Sequence, residues 1–174
     1  MEKEEAEIVR SLYDINESDL SPMMRQYKHL KDLHSDCIIF FRLGDFYEMF
    51  FEDAICASQI LELTLTARDC GSNKRAPMCG VPFHACDSYI AKLINANHKV
   101  AIVEQVSDPK AAGNNLVERD AIRIVTPGTV VETECLTYDV NNYIVSIHAS
   151  KTAIGLCWAD ISTGFMEVAQ FSGE

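Results

Sequence analysis

Between residues 21 and 43 the spacing of apolar positions changes once. In SPMMRQYKHLKDLH, Met23, Met24, Tyr27, Leu30 and Leu33 recur at helical spacing, with Arg25, Lys28 and Lys31 on the other side. This predicts a helix with one packed and one basic face, opened by Ser21 as N-cap and Pro22 in the first turn. The run from Cys37 to Leu43 begins as the unbroken apolar CIIFF, which predicts a strand buried on both faces. FFEDAICASQILE returns to helical spacing, and LELTLTAR alternates as a strand does. Asp69 to Pro77 reads as a polar turn and MCGVPFH as a tight Gly/Pro passage. ACDSYIAKLINANH predicts a helix with Tyr89, Leu93 and Ile94 inward. KVAIVEQV is a strand, DPKAAGNN a loop, and VERDAIRIVTPGT a strand closed by Pro127-Gly128. The expected class is α/β, a mixed β-sheet surrounded by helices.

From about residue 133 the pattern becomes three strands without helices, NNYIVSIHAS, TAIGLCWADIS and FMEVAQF, which predicts a β-meander. Three such strands cannot cover both faces of their own sheet, so this second unit reads as truncated. The expected organisation is an acidic leader at 1–20, a first domain at 21–132 and the beginning of a second at 133–174.

Composition narrows the options. No apolar run approaches the roughly 20 residues needed to span a bilayer, and MEKEEAEIVR has neither the basic start nor the apolar stretch of a secretion signal. The cytoplasm is the expected compartment. Seven cysteines without a CxxC pair, several inside apolar runs, read as reduced, buried thiols. The net charge of −11 divides into −5 over residues 1–20, −2 over 21–132 and −4 over 133–174. A chain that held DNA mainly by neutralising phosphates would carry a basic cluster, and this one does not.

Candidate chemistry is sparse. Cys70, Cys79, His84 and Cys86 lack the paired spacing of a structural zinc site, so no metal ligand is assigned. No phosphate loop, GxSxG motif or thiol with a nearby base is evident, so no catalytic residue is assigned and no cofactor is expected within these residues. WADISTG, residues 158–164, sets Asp160 at a strand end before small hydroxyl residues. That layout suits a ribonuclease-H-like nuclease or a phosphotransferase, but turn chemistry favours the simpler hairpin built by Asp160, Ser162 and Gly164. In GDFYEMF, Gly44-Asp45 reverses the chain, so Phe46 and Glu48 share one side while Tyr47 turns to the core. From pattern alone Phe40, Phe41, Phe46, Tyr47, Phe50 and Phe51 read first as a core aromatic cluster; the alternative is that a ring and a carboxylate projecting together from a loop wedge a base stack and meet a base edge. Such a wedge has to be exposed beside buried Phe40, Phe41 and Phe50.

The run from SPMMRQYKHLKDLH to KVAIVEQV, with its FRLGDFYEMF, PMCGVPFHA and RIVTPGT blocks, resembles the N-terminal mismatch-recognition domain of the MutS family of DNA mismatch-repair proteins. The likeness covers about residues 21–130, and residues 135–174 resemble the start of that family's connector domain, a ribonuclease-H-like but non-catalytic fold. The resemblance implies that Phe46 enters the base stack from the minor groove at a mispair or small insertion loop and that Glu48 hydrogen-bonds the displaced base. It implies a partner set of mismatched duplex DNA, a second copy in a homodimer and a MutL-type repair factor. It also implies a full-length ATPase using ATP and magnesium through a domain outside these residues, with no chemistry in this part.

Overall fold

The computed structural model describes residues 7–107, 117–127, 141 and 143–172. The loop expected at 108–115, Gly128 of the TPG turn and the boundary expected near residue 132 lie outside them. The described elements are β1 (Glu7–Ile8), α1 (Pro22–Leu33), β2 (Cys37–Leu43), β3 (Phe46–Phe50), α2 (Phe51–Leu61), β4 (Thr66–Gly71), β5 (Lys74–Pro82), α3 (Cys86–Asn95), β6 (Lys99–Gln105), β7 (Arg119–Val125), β8 (Tyr143–Ala149), β9 (Ala153–Asp160) and β10 (Met166–Ser172).

Seven strands form one mixed sheet in the order β1-β5-β3-β2-β6-β7, with β4 on the other edge of β5. β2 runs parallel to β6 and antiparallel to β3. Both faces are covered, as the continuous apolar run of β2 requires: Ile38 and Phe40 join Ala54, Ala57, Leu61, Ile90 and Leu93 of α2 and α3, and Ile39 and Phe41 join Met24, Tyr27 and Leu30 of α1. The expected mixed sheet with helices is therefore present. Ser21 caps α1 as its sequence predicts, its Oγ accepting from the Met24 N–H at 3.4 Å. Leu33, expected inward, is 61% exposed in the last turn of α1. Tyr89 is only partly buried.

Asp53, in the first turn of α2, anchors the sheet to α1. Its carboxylate accepts from Tyr27 Oη at 2.8 Å, Lys31 Nζ at 2.8 Å and the Ile39 N–H at 3.0 Å. Burial pushes Asp53 above the usual carboxylate range, although Lys31 pulls the other way.

Three expectations are corrected. The strand assigned to LELTLTAR begins only at Thr66, because α2 runs to Leu61 and Glu62 caps it in the left-handed region. The turn and passage assigned to residues 69–84 are mostly the β4–β5 hairpin, reversed at Ser72 and Asn73, whose φ values are +49° and +57°. Residues 7–20 are not a solvated leader. Val9, Leu12, Ile15 and Leu20 are buried in the core beneath α1. Here the Ser21 N–H donates to the Cys70 carbonyl, and a β-carbon at Gly71 would collide with the Asp19 carbonyl oxygen.

Strands β8, β9 and β10 form a separate three-stranded antiparallel meander, as expected.

Candidate nucleic-acid interface

The site begins at the β2–β3 hairpin. Leu43 pairs with Phe46, which leaves Gly44-Asp45 as a two-residue turn with Gly44 at φ +56°. Positive φ at the first turn position is what a tight hairpin needs, and glycine adopts it without a β-carbon clash. Two bonds hold the turn from either side: Arg42 Nε donates to the Gly44 carbonyl at 2.6 Å, and the Phe83 N–H donates to the Asp45 carbonyl at 3.0 Å. The Arg42 guanidinium lies 3.8 Å from the Phe83 ring centroid and 5.4 Å from that of Tyr47, and it pairs with Glu104 at 3.5 Å. The Tyr47 hydroxyl donates to the same Glu104 carboxylate, and burial and that acid push the hydroxyl well above its usual range.

Phe46 is therefore the first residue of β3, directly after a tethered turn, and not a loop residue as expected. It is 47% exposed, whereas Phe40, Phe41 and Phe50 are fully enclosed and Tyr47 points to the α2–α3 core. Pleating puts Phe46, Glu48 and Phe50 on one side of β3. The exposure expected of Phe46, and the shared side of Phe46 and Glu48, are both present.

Glu48 has partners that its sequence context did not reveal. It pairs across the sheet with Gly80 of β5, where a β-carbon would stand 3.4 Å from Glu48 Cγ. A strand glycine often marks such a close approach, and this one leaves room for the carboxylate to lie along the sheet. There Arg68 Nη1, on β4, donates to Glu48 Oε2 at 2.5 Å. On the other flank, Phe41 is the β2 neighbour of Glu48, and the Arg119 guanidinium sits 4.9 Å from the Phe41 ring centroid. Arg119 is fixed by the Arg42 carbonyl at 2.8 Å and by Gln26 at 3.1 Å. Burial and the nearby charge of Arg68 lower Arg119 from its usual range. The exposed ring thus shares one side of β3 with a carboxylate paired to Arg68, and Arg119, over Phe41, lies within electrostatic reach of Arg68. Sequence spacing gave no hint of this grouping, because the ring, the carboxylate and the two arginines lie on three strands, β3, β4 and β7.

Among the described residues, no group of three His, Cys, Asp or Glu side chains placed to hold a metal includes Asp160. Asp160 is 1% exposed at the end of β9. Its Oδ1 accepts from the Ser162 N–H at 3.0 Å and Oγ at 2.6 Å, and its Oδ2 from Thr163 Oγ1 at 2.9 Å. With Gly164 at φ +73°, these bonds form the β9–β10 turn. These bonds engage the carboxylate in that turn. Cys70, Cys79, His84 and Cys86 are not brought together as ligands: among the described residues no three His, Cys, Asp or Glu side chains are placed to hold a metal ion.

Residues 21–134 match the family model described as MutS domain I. Three similar relatives carry the name DNA mismatch repair protein MutS. The one from Acetivibrio thermocellus is 58% identical over 147 residues, 84% of this chain and 17% of the relative. The one from Clostridioides difficile is 54% identical over 150 residues, 86% of this chain and 16% of the relative. The one from Desulforamulus reducens is 55% identical over 155 residues, 88% of this chain and 18% of the relative. The chain spans less than a fifth of their length.

Proposed function

The chain belongs to the MutS family through its domain I, and from that premise we propose that it is the lesion-reading part of a DNA mismatch-repair protein. Phe46 enters the base stack from the minor groove at a mispair or small insertion loop, and Glu48 hydrogen-bonds the displaced base. The observation that carries this reading is the exposed Phe46 ring on a tethered turn, while Phe40, Phe41 and Phe50 are enclosed. A wedge has to be available before DNA arrives, and it has to be held. Unstacking costs a few kcal/mol per step and least where stacking is already poor, so deformability selects the lesion and base identity is hardly read.

The residues present act by binding and do no chemistry. In the full-length protein they work within a homodimeric, DNA-clamping ATPase that signals to a MutL-type factor in the cytoplasm, at the nucleoid. ATP and magnesium are expected to act through a domain other than this one, whose 174 residues contain no glycine-rich phosphate loop. The β8–β10 meander is the start of the ribonuclease-H-like connector, with Asp160 as a turn former.

Binding isotherms of the full-length protein on mispaired and matched duplexes, at two salt concentrations, test this reading. Phe46→Ala should lower mispair affinity toward matched affinity while the salt-dependent background survives. Glu48→Ala should hold or raise matched binding as mispair preference weakens. Equal losses on both duplexes from Phe46→Ala would make the ring structural.

A further inference from the structure

The Glu48 carboxylate that is to meet a base already has a partner. It lies over Gly80 with Arg68 Nη1 2.5 Å from Oε2, and the Glu48 side chain is only 17% exposed. Arg68 itself is 39% exposed, so solvent and solutes reach its side chain. On the opposite flank Arg119 cannot follow a departing carboxylate, because its own bonds to the Arg42 carbonyl, Gln26 and the Val117 carbonyl fix it. If Glu48 left alone, the Arg68 guanidinium would be without its anion, near enough to Arg119 for the two like charges to oppose each other. A planar guanidinium accepts a phosphate with the same paired geometry as a carboxylate.

We propose that Arg68 is an exchangeable latch: it holds Glu48 down on the sheet in the free protein and trades it for a backbone phosphate of any bound duplex, matched or mispaired. Glu48 is thereby released to a base only when DNA is docked, and the released arginine becomes a phosphate site beside the wedge. Charge balances in the trade, since one anion replaces another on Arg68. The inference rests on the reading that this face meets DNA, and it adds a residue, a ligand chemistry and an order of events to it.

The test couples one protein group to one DNA group on matched duplex, so that its failure differs from loss of mispair preference. Single uncharged methylphosphonates are walked along a matched duplex, and binding is measured for the full-length wild-type protein and for Arg68→Ala and Arg68→Lys. One position should weaken the wild type by roughly three- to tenfold, the scale of one phosphate contact. At that position Arg68→Ala should lose nothing further, whereas Arg68→Lys, which keeps a point charge, should still lose affinity. In parallel, the guanidinium nitrogen resonance of Arg68 should differ between the free wild type and free Glu48→Ala, and the two should converge once matched duplex is added. If no methylphosphonate position depends on residue 68, or if the resonance of the wild type stays at its free value on DNA, Arg68 is only a structural partner of Glu48 and the proposal fails. Retained binding by Arg68→Lys also shows that the Arg68→Ala result reflects the missing charge and not a collapsed sheet.

Discussion

Replacing Gly44 tests what holds Phe46 outward. Nothing lies within 4 Å of a β-carbon built at this position, so a substitution meets no steric obstacle and its cost is that of φ +56° alone. An L-residue in the left-handed region costs about 1–2 kcal/mol. Restricting the unfolded chain returns about 0.4–1 kcal/mol. Gly44→Ala should therefore destabilise the hairpin by about 1 kcal/mol, which is about a fivefold loss of protection in amide exchange. A D-alanine at the same position prefers positive φ, so only the gain from the unfolded state remains and protection should hold or rise by a few fold. Cys37 and Cys56 bracket the turn and allow the segment to be made by peptide ligation. The assay is hydrogen exchange of the β2 and β3 amides in the three versions of the chain. Equal protection with L- and D-alanine would refute the argument, because the turn would then not depend on the left-handed conformation.

Other predictions follow from groups outside the wedge. Asp53→Ala strips Tyr27, Lys31 and the Ile39 N–H of their shared acceptor and should cost about 3–5 kcal/mol in urea denaturation, the scale for breaking one side of a buried pair; a loss under about 1 kcal/mol would mean that the network is not formed. Burial pushes the Cys79 thiol up to about 12 and those of Cys37 and Cys86 to about 11. All three should stay protonated at pH 8 and alkylate at least about a hundredfold more slowly than free cysteine, with the rate climbing only as pH approaches those values. Mass-spectrometric rates equal to that of free cysteine would contradict the burial.

The sequence made α1, α3, β2 and β6 legible because burial leaves a simple pattern: the helices repeat at one covered face, as Met24, Tyr27 and Leu30 do, and β2 and β6, covered on both faces, are unbroken apolar runs. The β4–β5 hairpin was hidden because its turn uses Ser72 and Asn73 at positive φ without glycine, and because Pro77 and Pro82 argue against a strand. Both prolines are tolerated in β5, Pro82 as its last residue. Residues 7–20 read as a leader because Val9, Leu12, Ile15 and Leu20 are spaced irregularly among acids. No period announces them, yet each finds the core. At the site, the exposure of Phe46 and its shared side with Glu48 could be read from Gly44-Asp45 and the alternation of a strand. Arg68 and Arg119 could not, since they reach Glu48 and Phe41 only through strand order and through the gap that Gly80 leaves.

The central claim is that the Phe46 ring enters the base stack at a lesion. A 2-aminopurine placed beside a single mispair brightens when its neighbour is unstacked, and it reports that event directly. Saturating full-length wild-type protein should raise its fluorescence on the mispaired duplex and leave it near baseline on the matched one. Phe46→Ala, driven to saturation on the same mispaired duplex, should bind without the rise. A rise of equal size with Phe46→Ala would show that the duplex is opened without the ring, and would contradict the account.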